Sequence, residues 1–218
     1  VLIIAAHPDD EILGCGGTIL RHTESKDDVQ IVFVSDGEIS RDDSNHKKIK
    51  RYEAAKTVSK ELGCKEPIFL DFPDNQLDTK PLLKIIKLIE NILDTFKPNI
   101  VYTHYYNDLN VDHQITSKAV LTACRPIGEN VVRQILLFEI PSSTEWSISN
   151  SHFRPNKYIS IANFSDKKKK LLKIYGDEIR DFPHPRSLKY ISSIESIRGS
   201  EAGLDEAEAF LIFREVQP

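Results

Sequence analysis

A single α/β domain, with a mostly parallel sheet covered by helices on both faces, is the fold this sequence predicts. Two observations lead there. Short β-branched runs alternate with helical stretches of ten or more residues, which is the pattern of βαβ units. Polar residues also gather directly after the first four runs, where ligands bind in parallel, Rossmann-like sheets. The composition agrees, since 218 residues with 40% hydrophobic and 28% charged suit one domain spanning 1–218.

The elements follow in order. Val1–Ala6 is continuous and apolar, a strand buried on both faces. Glu11–Thr23 has helical spacing, weakened by Gly14, Gly16 and Gly17. Gln30–Ser35 is a second strand, Lys47–Leu62 an amphipathic helix stopped at Gly63, and Pro67–Leu70 a third strand. Across Pro81–Phe96, Leu82, Ile85, Ile86, Ile89, Ile92 and Leu93 form one apolar helical stripe. Asn99–Thr103 then gives a fourth strand, Asp112–Cys124 a helix and Gln134–Ile140 a fifth strand. Pro141–Pro155 reads as a surface loop, Asp166–Arg180 and Ser187–Gly199 as helices, and Phe210–Val216 as a final strand. The Lys167–Lys170 run reads as a solvated helix face.

Several function classes fall away early. No apolar run approaches the roughly 18–20 residues of a membrane helix. The net charge of −4 argues against a nucleic-acid binder, which usually has a basic face. Cys15, Cys64 and Cys124 stand far apart without a CxxC pair, which excludes a disulfide scaffold and suits a reducing cytoplasm. The chain holds no methionine, so residue 1 is expected to lie a little inside the gene product, with little functional sequence ahead of it. Gly14-Cys15-Gly16-Gly17 matches neither the dinucleotide fingerprint nor the P-loop.

The strand ends carry the chemistry. His7-Pro8-Asp9-Asp10-Glu11 follows the first strand, Asp36-Gly37-Glu38 the second, Asp71–Asp74 the third, and His104 through Asp112-His113 the fourth. A charged helix start explains Asp9-Asp10-Glu11 alone, because carboxylates suit the helix dipole, but it leaves His7 and His113 unexplained. A catalytic zinc needs three protein ligands and an open position, and His7, Asp10 and His113 make such a set. Asp9 is then free to act as a base on a metal-activated water.

These residues carry a resemblance. The run Ala6–Glu11 with its following glycines, and the run Asp108–His113, resemble the two metal-binding segments of the PIG-L/LmbE-like zinc-dependent N-deacetylases. Phe182–Ser187, Arg198-Gly199 and Ala207–Phe210 are similar to the family's C-terminal pattern. The resemblance implies zinc on His7, Asp10 and His113, Asp9 as general base, and Asp112 supporting a second catalytic group. It also places Arg51 near a sugar-hydroxyl-binding arginine. Asn110 stands where many members carry histidine; its amide can donate to an oxyanion but cannot act as an acid. The acid role then falls to Asp9 after it takes the water's proton, to His104, or to His184.

Other residues keep two readings. His104 and His184 are candidate substrate contacts, and His184 between two prolines is also a rigid loop. Arg186 is a candidate for an anionic substrate group or a plain surface charge. Asp36 and Asp74 can bind sugar hydroxyls, orient ligands or form turns. Trp146 and Tyr105-Tyr106 can wall a sugar ring or simply pack. His22, His46 and His152 read as surface residues. The expected activity is zinc-dependent removal of an acetyl group from an N-acetylated amino sugar, such as N-acetylglucosamine, or its conjugate. Hydrolysis of another amide or ester, and a non-catalytic sugar-binding module, are the alternatives. The expected partner is a small molecule, without nucleic acid or membrane span, and a homo-oligomer is left open.

Overall fold

The computed structural model describes residues 1–36, 44–127, 131–148 and 152–217. Strands β1 (Leu2–Ala5), β2 (Gln30–Ser35), β3 (Ile68–Phe72), β4 (Ile100–His104) and β5 (Gln134–Phe138) pair in parallel. Two further strands, β6 (Lys157–Ser160) and β7 (Ala207–Glu215), extend the sheet, and β7 runs antiparallel to both neighbours. The order β3-β2-β1-β4-β5-β7-β6 makes β1/β4 the point where the winding reverses. A crevice opens at such a point outside the carboxyl ends of the strands.

Alternation along the strands builds two cores. Ile3 and Ala5 of β1 face one layer, which includes Ile12 and Ile19 of α1 (Asp10–Glu24), Val58 and Leu62 of α2 (Ser44–Leu62), and Leu172 of α5 (Ser165–Leu172). Ile191 of α6 (Leu188–Glu201) completes that layer. Leu2 and Ile4 face the opposite layer, formed by α3 (Leu82–Phe96) and α4 (Val111–Ala123). In α3 the stripe Ile85, Ile86, Ile89 and Leu93 is buried, each side chain contributing about 1.5–3 kcal/mol. The fold is therefore the single, mostly parallel α/β domain that the periodicities predict.

The α1 glycines serve close packing. A Cβ on Gly14 would lie 2.5 Å from the Phe138 ring, and one on Gly17 would lie 2.6 Å from Ile161. Their absence lets α1 settle onto β5 and the segment beyond β6.

Four expectations change. The edge strand β6 was not expected; its four residues are too few to show a period and are held by β7. The helix expected over 166–180 ends at Leu172 and continues as a 3-10 stretch, Lys173–Glu178, where Gly176 (φ 57°) breaks the turn. The loop after β5 is not all surface: Ser143 and Thr144 are buried, and Thr144–Trp146 form a 3-10 turn. In the Lys167–Lys170 run, Lys168 is buried, with Nζ 3.0 Å from Glu195 and 2.8 Å from Glu208. Glu208 also accepts the Gly17 and Thr18 amides of α1, so this ion cluster ties α1 to α5, α6 and β7. No helix among the described residues is long and apolar enough to cross a membrane.

Candidate metal centre and active site

The turn between β1 and α1 is shaped by Asp9. Its φ of 117° lies in the left-handed region, which costs a non-glycine residue about 1–3 kcal/mol. Asp9 occupies the N-cap position of α1, yet its side chain makes no capping bond. Glu11 Oε2 instead accepts the Asp9 amide at 2.9 Å, while Tyr175 donates to Glu11 Oε1 at 2.6 Å. Burial raises the Glu11 pKa to about 8, against the opposing bond from Tyr175. A charged helix start alone thus does not account for this segment.

Three residues converge behind the turn. Asp10 Oδ2 accepts the His7 amide at 2.9 Å and lies 3.2 Å from His7 Nδ1 and 3.3 Å from His113 Nε2. One donor atom from each of His7, Asp10 and His113 falls within a 4.8 Å set, and all three residues are buried. Asp10 Oδ1 lacks a hydrogen-bond partner, and the His113 ring nitrogens meet the Asp10 and Asp108 carboxylates at ion-pair distance without hydrogen-bond alignment. Two imidazoles and a carboxylate, buried together with one Asp10 oxygen unpartnered, fit a divalent cation such as zinc. Burial works against charge on both histidines, yet the facing carboxylates hold His7 well above the usual range and His113 at about 9. Burial raises the Asp10 carboxyl, but the His113 charge and the contacts from His113 and His7 outweigh it and hold Asp10 well below its usual range.

Further carboxylates orient these side chains. His113 Nδ1 faces Asp108 Oδ1 at 3.1 Å. Asp108 is in turn fixed by the Asn110 amide at 2.9 Å, by Thr144 Oγ1 at 2.5 Å and by the Ser143 hydroxyl. His7 Nε2 lies 2.9 Å from Asp74 and 3.2 Å from Asp112. Asp112 also accepts the Asn75 and Leu77 amides, pinning the loop after β3 against the site. It therefore backs His7, and its only bond to Asn110 runs from its backbone amide to the Asn110 side-chain oxygen. His7, Asp74 and Asp112 form a second group whose donor atoms lie within 4.8 Å.

A cleft of about 230 Å³ opens over this cluster, lined in part by His7, Asp9, Asp74, Asn110, His184 and Arg186. Asp9 Oδ2 is held by Arg186 at 2.8 Å and Arg51 at 3.2 Å, whereas Oδ1 is buried with no partner. Both guanidiniums also bind Glu178, at 2.8 and 2.9 Å. Burial raises the Asp9 pKa, Arg186 and Arg51 oppose it, and the balance lies at about 6. Asn110 caps α4 through its side-chain oxygen, which accepts the Asp112 and His113 amides. Its amide nitrogen faces Asn75 at 3.4 Å on the cleft wall.

The candidates therefore separate. His7, Asp9, Asp10, Asn110, Asp112, His113, Arg51, His184 and Arg186 come together, whereas His104 does not reach the cleft. It is fully buried beneath Asp10, its Nε2 accepting the Ala6 amide at 2.8 Å, and burial with the nearby His113 charge lowers its pKa well below the usual range. Asp36 is also buried and accepts the Asp74 amide; Gly37 and Glu38 lie outside the described residues. Tyr105 packs against Tyr106 and Phe153, while Trp146 stands half exposed beside His184. His22 is not a plain surface residue, since it bridges Asp27 and the buried Tyr102 hydroxyl. Cys15 is buried with its thiol pKa pushed well up, unsuited to nucleophilic work. Glu178, Asp108, Asn75, Ser142 and Arg180 are site residues that sequence reasoning did not assign.

A family model described as "PIG-L: GlcNAc-PI de-N-acetylase" matches residues 2–124, more than half of the chain and including the whole His7–Asp10–His113 set. The chain belongs to the PIG-L family. Among curated relatives in this deacetylase family, "Uncharacterized deacetylase YaiS" of Escherichia coli K12 is 32% identical over 148 residues, covering 66% of this chain and 75% of that protein. "Probable N-acetyl-alpha-D-glucosaminyl L-malate deacetylase 2" of Bacillus anthracis is 28% identical over 138 residues. That match covers 60% of this chain and 61% of the relative. Among solved structures, N,N'-diacetylchitobiose deacetylase from Pyrococcus horikoshii superposes with a TM-score of 0.78 at 21% identity. It covers 97% of this chain and 82% of that one, and supports the fold.

Proposed function

We propose that this protein hydrolyses the acetamide of an N-acetylated amino sugar or its conjugate, with a zinc-type divalent ion on His7, Asp10 and His113. The observation that carries the reading is Asp9: one carboxylate oxygen is clamped by two arginines, and the other is buried, unpartnered and on the cleft wall. The sugar class follows the named activities of the relatives. When bound, the ion supplies Lewis acidity that polarises the amide carbonyl and lowers the pKa of a water.

This chain's own residues do the rest. Asp9 accepts the proton of the attacking water at Oδ1; its carboxyl, at about 6 before any metal binds, is mostly ionised at neutral pH, as a base must be. Arg51 and Arg186, fixed by Glu178, keep the carboxyl from rotating. The Asn110 side-chain nitrogen, on the cleft wall and with one hydrogen toward Asn75, donates its other hydrogen to the oxygen that gains charge as the carbonyl carbon becomes tetrahedral. When the C–N bond breaks, Asp9 returns its proton to the leaving nitrogen, giving acetate and a free amine. His184 Nδ1 accepts the Arg186 amide at 3.0 Å, which leaves its other ring nitrogen as a donor to substrate. His104 is given no part, because it does not line the cleft and its Nε2 accepts the Ala6 amide. Asp9→Asn should retain metal and lose about 10²–10⁴-fold in acetate release; a near-normal rate would remove Asp9 from the base role.

A further inference from the structure

One short segment grips Asp9 from two sides. The 3-10 stretch Lys173–Glu178 ends in Glu178, which holds the two arginines, Arg51 and Arg186, that bind Asp9 Oδ2. Three residues earlier the same stretch carries Tyr175, whose hydroxyl donates to Glu11 Oε1 at 2.6 Å. Glu11 Oε2 in turn accepts the Asp9 amide at 2.9 Å. The carboxylate of Asp9 is therefore held through Glu178, and its backbone through Tyr175. Gly176 separates the two anchors with a φ of 57°, where a side chain would be strained.

The backbone hold matters because the Asp9 conformation does not maintain itself. Its φ of 117° lies in the left-handed region. An aspartate at a helix start ordinarily folds its carboxylate back onto the first-turn amides, but Asp9 makes no such bond and lines the cleft instead. The turn is anchored at the Asp9 amide by Glu11, a side chain with several rotamers to lose. Among the described residues, Tyr175 is the side chain that bonds the Glu11 carboxyl. Tyr175 is buried, and burial together with the Glu11 carboxyl pushes its phenol well up, so it remains a hydroxyl donor. It does not line the cleft and is not part of the metal set.

We propose that Tyr175 is a positioning residue for the base: by fixing Glu11 it holds the turn that presents Asp9 to the cleft, and it acts on the reaction only through Asp9. This rests on the deacetylase reading above. A misplacement of about 1 Å costs about 10²-fold in rate, so loss of the hydroxyl should lower kcat roughly 10–100-fold. KM should stay near wild type, because the cleft walls are untouched.

Tyr175→Phe removes one oxygen and keeps the ring. The test measures zinc content, melting temperature and acetate release from an N-acetylglucosaminide in wild type, Tyr175→Phe, Asp9→Asn and the double variant. All are zinc-loaded and assayed well below their melting transitions. The expected results are stoichiometric zinc in all four, the lower kcat at unchanged KM in Tyr175→Phe, and no further loss when Tyr175→Phe is added to Asp9→Asn. A second pair tests the same chain of bonds from the other end. Glu11→Gln can keep an oxygen on the Asp9 amide and an NH₂ on the Tyr175 oxygen, so it should retain more kcat than Glu11→Ala. Wild-type kcat in Tyr175→Phe, even with a lowered melting temperature, would overturn the inference. Loss of zinc with the hydroxyl, the same fold-loss in both Asp9 backgrounds, or equal losses in Glu11→Gln and Glu11→Ala would also overturn it, and all leave the deacetylase reading intact. No acetate from the zinc-loaded wild type would instead overturn the deacetylase reading, and this inference with it.

Discussion

Asp108→Asn is the sharpest probe of how the metal set is held. The Asp108 carboxylate accepts from the Asn110 amide, Ser143 and Thr144, and presents its charge 3.1 Å from His113 Nδ1. All these neighbours are donors. An asparagine offers one acceptor oxygen and turns an NH₂ toward groups that also donate. A carboxylate behind a ligating histidine fixes its ring and tautomer and raises its basicity, and loss of such a partner costs about 10–100-fold in metal affinity, or about 1.4–2.8 kcal/mol. The buried donor left unpaired adds about 1–3 kcal/mol of destabilisation in the metal-free protein as well. Competition against a chelator of known zinc affinity measures the first quantity, and thermal unfolding of stripped protein the second. Wild-type zinc affinity in Asp108→Asn would refute the assignment of Asp108 as the carboxylate that orients His113.

Three other outcomes follow from the same geometry. Asn110→Ser retains a residue able to cap α4 but removes the amide donor; the melting temperature should stay near wild type while kcat falls about 10²–10³-fold. Metal binding should release protons, because His113 titrates at about 9 and His7 well above its usual range without metal, yet both must be neutral to ligate. Apparent zinc affinity should therefore weaken as pH falls below about 9, by up to tenfold per unit for each proton displaced; calorimetry in buffers of different ionisation enthalpy counts the protons. Lys168→Met leaves Glu195 and Glu208 buried without their cation, so stability should drop by about 3–5 kcal/mol in a denaturant titration.

The sequence makes the sheet legible because β1, β2, β4 and β5 are fully or nearly fully buried, and burial on both faces writes itself as continuous apolar runs. The metal set is legible for a related reason. His7 and Asp10 share one turn, and His113 lies in the first turn of the helix after the fourth strand, so topology alone brings them to one crevice. What escapes has its cause in partners distant in the chain. Glu178 matters because it holds Arg51, 127 residues away in sequence, and Lys168 is buried only because β7 and α6 bring carboxylates to it. His104 looks like a site residue from its position at the carboxyl end of β4, but the Ala6 amide, just beyond β1, claims its ring nitrogen.

In the proposed reaction Asp9 transfers a proton beside a metal that it does not bind. The direct measurement is metal content and acetate release from an N-acetylglucosaminide, made on the same zinc-loaded preparations of wild type and Asp9→Asn. Stoichiometric metal in both proteins, with acetate from the wild type alone, is the expected result. Equal turnover by the two proteins, or metal lost along with turnover in Asp9→Asn, would contradict it.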